Sequence, residues 1–157
     1  MGTWGASSFQ NDSALDWLAD LCEQGDASLV YAALSRVVKH GGTKQSSASF
    51  IERLFGRRRR TDWLTAGVAS QALAAAEVVA AWHKHPSANL PDNLKTWLQQ
   101  HASSFEPGLV SLAQKAVSIV KTNSELKDLW EEGDATKWKA GIEDLAQRLG
   151  LTSSPRQ

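Results

Sequence analysis

Residues 63–84 read WLTAGVASQALAAAEVVAAWHK, and this stretch decides the fold. Alanine, the best helix former, dominates it, and no proline interrupts it. From Ala72 to Ala76 and from Val78 to Ala81 there is little polar relief on any side. A helix apolar all round is one that others cover, so the helix predicted from Trp63 to about Lys84 is central. Pro86 ends it, because the residue before a proline is pushed out of helical geometry.

The same period runs outward in both directions. Toward the N-terminus, Leu15, Leu18, Leu21 and Cys22 recur at helical spacing, with Asp12 and Ser13 as caps and Gly25 as the stop. Asp26 caps a second helix whose apolar pairs, Leu29/Val30, Ala33/Leu34 and Val37/Val38, make a wide buried stripe ended by Gly41-Gly42. Toward the C-terminus, Pro91 and Pro107 suit the first positions of two more helices. The first carries Leu94, Trp97, Leu98 and His101 on one face; the second carries Leu109, Leu112, Ala113, Ala116, Val117 and Val120. Asn123 or Ser124 caps a short helix with Leu126, Leu129 and Trp130 that stops at Gly133. A last helix, begun at Asp134 or Thr136, carries Trp138, Ile142, Leu145 and Leu149 and closes at Gly150. No run of alternating β-branched residues suggests a strand. The expected fold class is therefore all-α: a single-domain bundle of about six to seven helices with short links and one longer basic connection. Residues 1–150 form the domain, 41–62 a flexible basic connection and 151–157 a tail.

A chain of 157 residues, 42% apolar and 22% charged, can bury a core as one domain without disulfides or metals. Its formal net charge of zero does not point to nucleic acid or a membrane. One cysteine, Cys22, fits a reducing, cytoplasmic setting and reads as a buried structural thiol. No stretch is apolar and long enough to span a bilayer, and no basic region followed by an apolar run marks a secretory signal. Met1-Gly2 opens like an acylation signal, but Ala6 stands where that pattern wants Ser or Thr.

Glu77 is the most conspicuous single residue, an acid among Ala and Val. Such a carboxylate needs a partner or a raised pKa. It reads as a structural anchor under the N-terminal arm, with a general acid or base as the alternative. In that arm, MGTWGASSFQ, Trp4 and Phe9 are plugs into the bundle; NDSALDW is the cap and first turn of the first helix, with Asn11 shaping the turn and Asp12 capping, and Trp17 counted with the structural arm. Asn11 and Asp12 are the other weak catalytic candidates, beside Glu77. His40, His83, His85 and His101 carry no metal-site spacing, so no metal and no cofactor is expected. The seven tryptophans, set beside leucines at helical spacing, read mostly as core.

Charge is unevenly placed. Residues 1–26 hold five acids and no base, whereas Arg36 to Arg60 hold eight bases and one acid, a local charge of +7. Arg53, Arg57, Arg58, Arg59 and Arg60, with Glu131 and Glu132, are the candidate partner-binding residues. The arginine run is either a contact for phosphate, nucleic acid or an acidic protein, or a solvated loop.

Met1-Gly2-x-Trp4-Gly5 followed by Phe9-x-Asn11-Asp12-x-Ala14-x-Asp16-Trp17 resembles the opening of a bacterial family of small helical domains of unknown function. Ala74 to Ala80, Leu90-Pro91 with Trp97-Leu98, Ser124-Glu125-Leu126 with Leu129-Trp130-Glu131-Glu132, Trp138, and Leu145-x-x-Arg148-Leu149 continue the resemblance over nearly the whole chain. The arginine-rich stretch 43–62 departs from the family pattern. The resemblance implies a small cytosolic helical protein and no particular activity. With no catalytic motif, the expectation is a non-catalytic protein-binding domain, concretely an immunity-type protein neutralising a partner toxin. The alternatives are an enzyme with a carboxylate site around Glu77 and a phosphate or nucleic-acid binder through Arg57–Arg60.

Overall fold

The computed structural model describes residues 7–41, 64–88 and 90–150. Among them seven α-helices follow in order: α1 (Asp12–Gln24), α2 (Ala27–Gly41), α3 (Ala66–Trp82), α4 (Asp92–His101), α5 (Gly108–Thr122), α6 (Glu125–Glu131) and α7 (Thr136–Arg148). A 3₁₀ turn, Ala102–Ser104, follows α4. No β-strand occurs among the described residues. The all-α expectation is thus met. The arginines at 53 and 57–60, the whole 42–63 stretch, Trp4 and the 151–157 tail lie outside the described residues.

α3 is the axis of the bundle. From Ala69 to Ala80 every residue except Gln71 is buried. It packs against α1, α2, α4, α5, α6 and α7. Small alanine side chains permit this, because neighbouring helices can approach on several sides at once. The helix is shorter at both ends than the sequence predicts, for identifiable reasons. Thr65 stops it at the front by taking the N-cap: its hydroxyl accepts from the Val68 N–H at 3.3 Å. Glu125, from the start of α6, accepts from the Ala66 N–H at 2.8 Å, while its own N–H donates to the Leu64 carbonyl at 2.9 Å. At the back, Lys84 adopts a left-handed conformation with φ 74°. The His85 N–H then reaches the Ala80 carbonyl at 2.8 Å, closing the helix as a glycine normally would.

The other helices each turn one stripe to this axis. In α1 the stripe is rotated from the predicted one: Ala14, Trp17, Leu18 and Leu21 are buried, while Leu15 and Cys22 are half-buried. Its N-cap is Asn11, whose side chain accepts from the Ala14 N–H at 2.8 Å. Asp12 therefore lies in the first turn instead of capping it, where its charge suits the helix N-terminus. Val30, Ala33, Leu34 and Val37 are the buried face of α2. Leu109, Ala113, Ala116, Val117 and Val120 bury from α5, and Trp138, Ile142 and Leu145 from α7. Ser124, fully buried, caps α6 through its hydroxyl and donates back to the Val120 carbonyl at 2.8 Å. Trp17, Trp97 and Trp138 are core residues, and Trp82 and Trp130 pack half-buried against it. Two indoles also tie elements together: Trp82 Nε1 donates to the Ala102 carbonyl at 3.1 Å and Trp97 Nε1 to the Gly25 carbonyl at 3.3 Å.

Candidate functional site

Glu77 occupies the middle of α3 and is 5% exposed. Its helical neighbours are alanine and valine, so no local donor can compensate the charge. The compensation comes from the far end of the chain. Arg148, in the last turn of α7, grips the carboxylate with both arms: Nη1 donates to Oε1 at 2.8 Å and Nη2 to Oε2 at 3.1 Å. This parallel two-bond geometry is the strongest a guanidinium offers. Ser8, from the segment before α1, adds a third bond, its hydroxyl donating to Oε2 at 3.0 Å. Arg148 is itself steered by Asp144 one turn earlier, through Nε to Oδ2 at 2.8 Å. Nη1 also approaches the His85 carbonyl at 3.4 Å. Burial works against the Arg148 charge, but the hydrogen bonds and charges of Glu77, and then of Asp144, outweigh it and hold the guanidinium above its ordinary value.

A cavity of about 170 Å³ opens beside this pair. Trp130, Trp138, Ile142 and Leu126 are among its lining residues. Glu77, Asp144, Arg148, Asn11, Ser8 and Ser87 line it as well. The two indoles lie nearly parallel, 11° apart in plane with centroids at 6.4 Å. Of the sequence candidates, Glu77 and Asn11 therefore meet at one place. Asp12 is exposed and does not line the cavity among its described residues. Phe9 packs half-buried on the core. Arg148, Asp144 and Ser8 were missed as site residues. Arg148 did carry a signal: it sits beside the Leu145 and Leu149 stripe with an acid four residues before it, so its charge is drawn to the core edge.

The remaining candidates fall elsewhere. Glu131 is exposed on α6 and bridges Lys127 and Lys139, both at 2.9 Å. The Lys127 bond, then that of Lys139, holds its carboxyl below the ordinary range. Glu132 is exposed beside it. Burial pushes the half-buried Cys22 thiol up, which makes it a poor nucleophile. His101 stacks on Trp97 at 4.3 Å, and the His83 and His85 rings lie 5.5 Å apart. Among the described residues no three His, Cys, Asp or Glu side chains gather as metal ligands, and no helix is long and apolar enough to cross a membrane.

Residues 2–141 match the family described as a domain of unknown function, DUF4259. The chain belongs to that family. Comparison with curated proteins and with solved structures gave no match. The DUF4259 match stops at Gly141, whereas Arg148 and its partner Asp144 lie beyond it.

Proposed function

We propose that this DUF4259 domain is a non-catalytic, cytoplasmic protein-binding module, and that its partner is a toxin neutralised by being covered in a bacterial cell. The observation that carries the binding reading is Leu129. It is 44% exposed at the α6–α7 corner, one of the large apolar side chains the described surface leaves in water. Asp128, Glu131, Glu132 and Asp134 are its near neighbours in sequence, with Glu125 at the start of the same helix. Five acids and one lysine between residues 125 and 134 make this corner strongly acidic in a chain of zero net charge. An apolar side chain on a segment of net negative charge suits a partner with a basic rim around an apolar socket. The geometry of Glu77 gives the enzyme alternative no support, because both carboxylate oxygens are already bound by Arg148 and Ser8.

The test is co-purification from the native cells with wild-type protein, Leu129→Glu and Glu132→Lys. The expected result is a one-to-one complex with a basic protein, of about standard interface size. It weakens with salt and is lost in Leu129→Glu. A partner retained equally by all three proteins would refute this surface; no partner under low salt would refute the protein-binding reading.

A further inference from the structure

We infer that the cavity beside Glu77 and Arg148 is a binding site for a small organic cation: a protonated amine on a single ring-sized apolar body. The inference stands apart from the protein-binding reading, since it concerns the interior of the cavity and not the α6–α7 corner.

Size sets the first limit. The cavity holds about 170 Å³, and an apolar cavity of about 150 Å³ takes up one benzene-sized ring. Charge sets the second. The ionisable side chains among the described lining residues are Glu77, Asp144 and Arg148, two carboxylates against one guanidinium. The guanidinium is spent on its own neighbours: Nε on Asp144, Nη1 on Glu77 and the His85 carbonyl, Nη2 on Glu77. An incoming anion would meet a committed cation among described lining residues of net negative charge. An incoming cation meets the surplus carboxylate. Asp144 supplies it at the rim, where its side chain is 64% exposed. An ammonium there keeps part of its hydration while its apolar body goes inward, which limits the desolvation cost. The walls complete the match. Trp130 and Trp138 are among the lining residues, and indoles attract both apolar rings and cations.

The test follows the indole N–H resonances of Trp130 and Trp138 in the full chain during titration with benzylammonium, benzyl alcohol and benzoate at constant ionic strength. Benzylammonium should give saturable shifts with a Kd on the order of a millimolar, the range open to a ligand of this size. Benzyl alcohol should bind more weakly, and benzoate should leave both indoles unmoved. Asp144→Asn should weaken benzylammonium about fivefold, the scale of one part-exposed ion pair, with its melting temperature confirming that the fold is kept. If that variant does not fold, the comparison of the three ligands decides alone. Benzoate binding as well as benzylammonium, no indole shift with benzylammonium, or a folded Asp144→Asn that binds like wild type would each overturn the assignment.

Discussion

Replacing Glu77 with alanine leaves Arg148 at the edge of the core with its main partner gone. The two side chains are 6% and 15% exposed, so the pair is largely out of water. Removing one member of a buried pair costs about 3–5 kcal/mol, chiefly because the other is left uncompensated. Two features lower that figure here. Arg148 keeps its 2.8 Å bond to Asp144, and the adjoining cavity gives water a way to the freed guanidinium. The expected loss is therefore about 2–3 kcal/mol, which for a domain of this length lowers the Tm by about 5–10 °C. Urea unfolding followed by tryptophan fluorescence measures the loss directly. The informative companion is Glu77→Ala/Arg148→Met, which removes the orphaned charge. It should recover at least about 1 kcal/mol relative to the sum of the two single losses. A Glu77→Ala protein within about 0.5 kcal/mol of wild type, or a double variant showing the plain sum, would refute the claim that this ion pair ties α3 to α7.

Deleting residues 1–9 removes the Ser8 bond to Glu77 and the Phe9 packing on the core; the expected cost is about 2 kcal/mol, and an unchanged Tm would show that the segment ties nothing down. Ser124→Ala strips the cap of α6 and a buried hydrogen bond to Val120, so a loss of about 2 kcal/mol is expected in urea unfolding. Lys84→Gly should instead stabilise by about 1 kcal/mol, because φ 74° is strained for any residue with a Cβ. Finally, the carboxyls of Asp26, Glu131 and Asp134 are held low, first by their side-chain bonds to Ser28, Lys127 and Thr136 respectively. A depressed folded pKa adds stability above the unfolded pKa and loses it as pH falls through the folded value. The urea midpoint should thus be insensitive to these groups from about pH 7 to 5 and decline below about pH 4. A midpoint that rises on acidification would contradict those bonds.

The helices were legible because their signals are local. Alanine content marks α3 within its own residues, and the stripes of α2, α5 and α7 repeat every three or four positions. The misplaced details come from choices between neighbours. Asn11 and Asp12 can both cap a helix, and only the extended backbone at Asn11, φ −158° and ψ 157°, decides for Asn11. The stripe of α1 slipped for a similar reason, since Trp17 outweighs Leu15 and Cys22 in buried surface once α1 meets the core. The site was half legible. A lone acid in an alanine helix announces that a partner is needed, but Arg148 lies 71 residues away, and no local pattern joins the two.

That distance also gives the pair a structural task that alanine cannot perform. α3 is apolar on nearly every side, so burial of apolar area alone scarcely distinguishes one rotation of this helix from the next. A shift of one residue along the helix turns each side chain by about 100°. For most of α3 it would exchange one alanine or valine for another. For Glu77 it would pull the carboxylate off Arg148 and Ser8, leaving it unpaired in the interior and Arg148 with Asp144 as its remaining ion-pair partner. The single acid in the most uniform helix thus fixes which face of α3 looks toward α7 and the N-terminal segment. A hydrophobic residue at position 77 could replace the burial but not that distinction.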